Sequence, residues 1–80
     1  MSLIVATFTL MDGEALTVPI AQITGYAEQW AYREDPLNPN THINTFLHTI
    51  IFLSDNREVP VTETGTQVHD AIYNAIDINP

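Results

Sequence analysis

The residues of this chain that could do chemistry are few, and the three histidines come first. An imidazole can bind a metal ion or transfer a proton near neutral pH. His42 directly precedes the predicted strand that contains His48, and six residues of extended chain separate the two by about 20 Å. His69 lies beside Asp70 on a predicted helix, and neighbours on a helix point in different directions. The sequence therefore predicts no metal site within one chain, and only oligomer symmetry could assemble one.

Nucleophilic catalysis has little more support. The chain has no cysteine and no lysine, and Ser2 and Ser54 lie at the terminus and in a predicted turn. No Ser-His-Asp arrangement or glycine-rich phosphate loop can be recognised. Glu63 could act as a base, but a carboxylate at a helix start is first explained by the helix dipole. We therefore predict that the protein is not an enzyme, and we expect neither catalytic residues nor a cofactor.

Aromatic side chains beside a polar segment are the strongest candidates for a binding surface. Large rings that are part apolar and part polar are typical of interface hot spots and stacking platforms. The alternative is that some of these rings form the core, and we favour it for Phe46 and Phe52. The predicted binding residues are Tyr26, Trp30, Tyr32, Arg33, His42, Phe46 and His48.

The net charge of −8 arises because Arg33 and Arg57 are the only basic residues against ten acidic ones. Two cations cannot make the phosphate contacts that nucleic-acid polymers or anionic membranes require. A DNA mimic would need carboxylates clustered on one face, whereas the acidic residues are spread along the chain. We interpret them as ordinary solvating charge. A small nucleotide could still be held between subunits, where symmetry repeats an arginine.

Eighty residues predict a single domain, 1–80, close to the lower size limit for one hydrophobic core. The N-terminal segment has no basic region and its apolar run is interrupted by threonines, so it predicts a strand and not a signal peptide. No segment is long enough to span a bilayer, and we expect a cytoplasmic protein.

Two hairpins joined by a bend account for most of the chain. Residues 3–10 and 15–20 are predicted to form two strands joined by an Asp-Gly turn. A three-residue connection with Gly13 in a bulge gives the cleanest separation of polar from apolar side chains between the two faces. That register pairs Phe8 with Leu16, Ala6 with Val18, Ile4 with Ile20 and Thr7 with Thr17. After a bend at Pro19, a third strand is predicted over residues 23–32, with its aromatic residues on one face.

Two prolines in residues 33–42 predict an exposed loop insertion before the fourth strand, 43–53. Both faces of that strand are apolar, so the register of a fifth strand, 58–62, stays open. Phe52 pairs with Val59 in one register, and Leu53 pairs with Val59 in the other. Pro60 has no N–H group to donate, so the fifth strand is either an edge strand or has the backbone of Pro60 facing away from its neighbour.

A C-terminal helix is predicted from a capping box, with Thr64 as N-cap and Gln67 three residues later. Its apolar stripe consists of Val68, Ala71, Ile72, Ala75 and Ile76. The predicted fold is α+β: one antiparallel sheet of about five strands with this helix on one face. Because one helix cannot cover both apolar faces of the fourth strand, we expect a homo-oligomer or a partner.

A family resemblance follows from the order of these motifs. An Asp-Gly hairpin at 10–14, and Val61-Thr62-Glu63-Thr64 followed by Val68 and Ile72, are similar to motifs of the small FlbD-like flagellar and swarming-motility proteins. The resemblance supports the sheet-plus-helix outline. It also implies a flagellar accessory role as one functional hypothesis.

Two further hypotheses come from the residues themselves. The first is a small acidic interaction protein, an accessory or inhibitory factor of a kind common in phages, that binds itself or a protein partner through the aromatic face. The second is a protein that sequesters a small nucleotide or metabolite between subunits.

Overall fold

The computed structural model describes the backbone of residues 3–77 and the side chains of residues 3–75. Its elements in chain order are β1 (Ile4–Thr9), β2 (Ala15–Pro19), a 3-10 turn (Ile20–Gln22), β3 (Ile23–Asp35), β4 (Asn38–Leu53), β5 (Glu58–Val61), α1 (Gly65–Tyr73) and β6 (Ile76–Asp77). The predicted α+β class, with antiparallel strands and one C-terminal helix, is confirmed.

The strands form two sheets, so the prediction of one five-stranded sheet is wrong. One sheet has the order β2-β1-β6 and the other β3-β4-β5, and every pairing is antiparallel. The 3-10 turn after Pro19 redirects the chain between β2 and β3. A bridge between Leu10 and Val61 joins the sheets, where the Thr62 N–H donates to the Thr9 carbonyl at 2.8 Å.

The first hairpin has the predicted bulged connection. Gly13 has a φ of 91°, a conformation that favours glycine. Phe8 pairs with Leu16, Ala6 with Val18 and Thr7 with Thr17. The predicted pair of Ile4 with Ile20 does not form, because Ile20 already belongs to the 3-10 turn.

The second hairpin adopts a register that neither sequence alternative contained. Val59 pairs with Ile51, and Val61 pairs with Thr49. The Leu53 N–H donates to the Arg57 carbonyl at 2.9 Å, so this turn, like the first, has three residues between its paired ends. Asn56, one of the three, has a positive φ of 68°. Asparagine tolerates the left-handed conformation better than most residues, and the extra turn residue points both valines into the core.

Residues 33–42 are not a loop but the end of a long β-hairpin. β3 and β4 continue to a two-residue turn at Pro36 and Leu37, where the Asp35 carboxylate accepts the Leu37 N–H at 2.9 Å. Pro39 is tolerated because it lies near the tip, where the ladder is irregular. We call residues 29–48 the arm, because within the described chain its two strands form ladders only with each other.

The arm makes the molecule elongated. The structure measures 57 × 23 × 21 Å, and its radius of gyration is 15.7 Å. A compact chain of this length would have a radius of gyration of about 12 Å. The arm therefore projects from a small body that contains the hydrophobic core.

The core lies between the two sheets and α1. Its buried residues are Ala6, Phe8, Val18, Ile51, Leu53, Val61 and Val68. Of the predicted helical stripe, Val68 is fully buried, and Ala71, Ile72 and Ala75 pack against the core. The helix is shorter than predicted, because α1 ends at Tyr73, Ala75 follows it, and Ile76 begins β6. The side chain of Ile76 lies outside the described residues. Between residues 3 and 77, no helix has the length and apolar character to cross a bilayer.

The predicted capping box is confirmed at the start of α1. The Gln67 N–H donates to the Thr64 hydroxyl at 3.2 Å, and the Thr64 N–H donates to the Gln67 side-chain oxygen at 2.9 Å. Both bonds satisfy N–H groups that have no partner within the helix.

Replacing the N-cap, Thr64→Ala, should lower the free energy of unfolding by about 1 kcal/mol. The reason is the lost acceptor for the Gln67 N–H. Urea denaturation followed by circular dichroism measures the change. The matched control is Thr66→Ala, at an exposed position two residues later, which should change the free energy of unfolding much less. Equal losses in both variants would contradict the capping role.

Candidate binding surface on the long hairpin

An extra residue in β4 decides which side chains share a face of the hairpin. Gln29 pairs with His48 and Trp30 pairs with Phe46, so Leu47 has no partner and forms a bulge. After this bulge, each side chain of β4 points to the opposite face from the one it would occupy in a regular strand. A regular strand, as expected from the sequence, would place Phe46 and His48 on the same face. In the structure they lie on opposite faces.

The aromatic face is the side of the hairpin that carries the even-numbered residues of β3. We define it by Tyr26, Trp30, Tyr32, Phe46 and the two glutamates of the same row, Glu28 and Glu34. Cross-strand partners share a face, so His42, which pairs with Glu34, also belongs to it. Five of the seven predicted binding residues are thus on one surface.

Trp30 and Phe46 form the centre of the aromatic face. Their rings meet edge to face with centroids 5.4 Å apart. Trp30 is 42% exposed and Tyr32 is 69% exposed. Phe46 is half-buried outside the core, and so is Phe52, which lies beside Gly25 on the opposite side. The interpretation of these two phenylalanines as core residues is therefore wrong.

At the base of the arm, the aromatic face meets the start of α1 in a cleft. The cleft has a volume of about 470 Å³ and is lined by Tyr26, Glu28, Gly65, Thr66 and His69. The Tyr26 hydroxyl lies 3.5 Å from Nδ1 of His69, and the His69 ring stacks on Tyr73. An aromatic ring, an imidazole and a carboxylate in one cleft suit a cation better than a phosphate.

Glu28 connects the arm to the body, and sequence reasoning missed it. Its Oε2 accepts the Gly65 N–H at 2.7 Å, and its Oε1 accepts the Trp30 indole N–H at 3.4 Å. A carboxylate at this position satisfies an unpaired helical N–H and complements the positive end of the helix. Thirty-seven residues separate Glu28 from Gly65, so no local motif signals the contact.

Glu63, the carboxylate that the sequence placed at the helix, has a different role. Its two oxygens accept the Thr9 N–H at 2.8 and 3.2 Å. Its backbone carbonyl accepts the buried Thr49 hydroxyl at 2.6 Å. Glu63 therefore fastens β1 and β4 to the segment before α1. These contacts explain the residue without a catalytic function.

The back face is the opposite side of the hairpin. We define it by Gly25, Ala27, Gln29, Ala31, Thr45, His48, Ile50 and Phe52. None of these residues carries a formal charge at pH 7. Arg33, which pairs with Ile43, lies on this side at the outer end of the arm. Arg33 and His48 are thus the two predicted binding residues that the structure separates from the aromatic face.

Charged groups that could hold an anion are absent from the aromatic face in the part of the chain that the structure describes. Arg57 pairs with Asp55, its Nε lying 2.6 Å from the carboxylate, and Arg33 belongs to the other side of the hairpin. Within residues 3–75, no three histidine, aspartate or glutamate side chains come close enough to share a metal ion.

Comparisons with family models, with curated proteins and with solved structures find no match for this chain. The resemblance to FlbD-like proteins therefore stays a prediction.

Removing the Glu28 carboxylate should loosen the start of α1. We expect Glu28→Ala to lower the free energy of unfolding by about 1 kcal/mol, the usual net value of one such hydrogen bond. Urea denaturation measures the loss, which should shrink at high salt because exposed charge interactions are screened. Glu58→Ala, an exposed glutamate on β5, is the control. A loss for Glu28→Ala that does not exceed the loss for Glu58→Ala would refute the assignment.

Proposed function

We propose that this protein is a non-catalytic interaction protein whose long hairpin is its binding element. It associates with a second copy of itself through the back face and binds a protein partner through the aromatic face. An accessory or inhibitory factor would act in this way, by occupying a surface of another protein. The observation that carries the proposal is the arm, which projects from the core with neither face covered.

The energetics of the arm support association. A two-stranded hairpin without further packing is only marginally stable in water. This one nevertheless extends to the tip, where Leu37 is 94% exposed, and it displays Trp30 and Tyr32. Covering such apolar area contributes roughly 25 cal/mol per Å². A partner that packs on the arm would therefore gain affinity and order the hairpin at the same time.

Charge decides which face suits which partner. A second copy carries the same net charge of −8 and is repelled wherever carboxylates would meet. The back face from Gly25 to Ala31 has no carboxylate of the hairpin, although Glu58 of β5, the partner of Phe52, borders it at the base. Two copies can therefore pack on its outer part as sheet on sheet. The aromatic face contains Glu28 and Glu34, which oppose self-association. This face is thus better suited to a different protein.

A second candidate function is the sequestration of a small ligand in the cleft beside Tyr26 and His69. Its volume is within the range of small-molecule sites. Glu28 in its wall favours an amine or guanidinium compound over a nucleotide. Ligand at about one hundred times its Kd adds about 2.7 kcal/mol to stability, so a thermal-shift screen of organic cations against nucleotides tests this alternative.

Light scattering coupled to size-exclusion chromatography tests self-association. We expect a mass of twice 8.9 kDa, or a higher multiple. Scattering is essential, because an elongated monomer also elutes early. Ala31→Glu with Thr45→Glu places two carboxylates opposite each other on the back face and should yield monomers.

The matched control is Tyr32→Glu with Asn44→Glu, the next cross-strand pair along the arm, which faces the aromatic side. It introduces the same charges at exposed positions and should leave the oligomer intact. A monomeric wild-type protein at 100 μM would overturn self-association. Equal dissociation in both double variants would show that the back face is not the interface.

A further inference from the structure

The outer edge of β3 is the part of the hairpin that points to a specific kind of partner. We propose that an extended, basic segment of a partner protein adds to this edge as a further strand. Its alternate arginine or lysine side chains would lie over the aromatic face. The inference rests on the proposed function, and it names the partner chemistry of the same surface.

β3 offers a long backbone template. It is the terminal strand of its sheet and runs for 13 residues, Ile23–Asp35. On the side away from β4, every second residue of such a strand presents an unpaired N–H and C=O group. Edge strands are normally protected by proline, by charged side chains (lysine above all), by bulges, by shortness or by a covering element. The charged side chains of β3 on the aromatic face are glutamates, which repel an acidic strand and attract a basic one. β3 contains neither proline nor lysine, and in the described chain no strand pairs with its outer edge.

The side chains along this edge alternate in a way that fits cations. Tyr26, Glu28, Trp30, Tyr32 and Glu34 follow one another on the aromatic face. Their spacing is about 7 Å, the two-residue repeat of a strand. A strand added to the edge has the same repeat, so its own alternate side chains stand beside this row. Rings and carboxylates in succession bind guanidinium or ammonium groups by cation–π contact and by charged hydrogen bonds.

Free acceptor capacity remains on this row. A carboxylate offers about four lone-pair sites, and Glu28 uses two of them for Gly65 and Trp30. Glu34 is exposed at the end of the arm opposite His42, and no side chain or backbone N–H of the described residues donates to its carboxylate. The chain contributes no arginine or lysine to the aromatic face, because Arg33 lies behind it and Arg57 is paired with Asp55.

Charge complementarity selects the partner. A second copy of this chain would bring its own glutamates to the edge, whereas a basic strand neutralises those already present. Backbone pairing supplies affinity without regard to sequence, and the alternation of side chains supplies specificity. Arginine side chains should bind more tightly than lysine side chains, because a planar guanidinium can stack on an aromatic ring and donate hydrogen bonds to a carboxylate at the same time.

Peptide titration tests the inference. The probe is the acetylated, amidated peptide Arg-Thr-Arg-Thr-Arg-Thr-Arg, and the readout is the fluorescence of Trp30, the only tryptophan. The first control has the same composition with the four arginines in one block. The second carries N-methyl groups on all of its internal amides, which prevents strand addition on either edge. We expect the alternating peptide to bind at least tenfold more tightly than either control.

Tyr32→Leu with Glu34→Gln should weaken binding of the alternating peptide tenfold or more. Both residues are exposed on the arm, so folding does not depend on them. Glu14→Gln with Glu58→Gln removes charge at two exposed positions away from the aromatic face and should leave affinity unchanged. Circular dichroism of each variant confirms that the fold is retained.

Equal affinity for the alternating and block peptides would show attraction by net charge alone and would overturn the inference. If the N-methylated peptide bound as tightly as the unmethylated alternating peptide, or if no saturable binding occurred, strand addition would be overturned as well. The mass measurement and the back-face variants test self-association separately. A failed titration with an intact oligomer therefore rejects this partner and leaves the proposed function standing.

Discussion

The difference in length between β4 and α1 is the constraint on which the rest of the structure depends. β4 has 16 residues and α1 has nine. At about 3.3 Å per strand residue and 1.5 Å per helical residue, the strand is roughly four times longer than the helix. The core can therefore cover only the base of the hairpin, around Ile51 and Leu53. All that lies beyond is held by strand pairing and by contacts between neighbouring side chains.

Polar side chains join the covered and uncovered parts. Glu28 extends from the hairpin to the Gly65 N–H, the first of α1, and Glu63 extends from the start of the helix to β1. Thr49, fully buried, donates to the Glu63 carbonyl. Each contact satisfies a backbone group that would otherwise lack a partner, which is costly in a protein interior. The arm and the body are thus connected by hydrogen bonds at the point where hydrophobic packing ends.

The hairpin separates charge between its two faces, and this separation supports two different kinds of contact. Two carboxylates are interspersed among aromatic rings on one side, whereas the other side is small, apolar or neutral from Gly25 to Ala31. In a chain with a net charge of −8, these faces cannot favour the same partner. The proposed second copy suits the neutral side, and the proposed basic segment suits the acidic side.

The sequence by itself determined the elements that depend on local chemistry. The Asp-Gly turn, the capping box at Thr64 and the apolar stripe of α1 were all predictable, because neighbouring residues carry the signal. Tertiary structure decided the division into two sheets, the bulge at Leu47 and the extension of residues 33–42 as strands. The bulge matters most, since one extra residue reverses the side on which every later side chain of β4 points. Glu28 was not predictable either, because its partner at Gly65 is brought near only when the helix packs on the sheet.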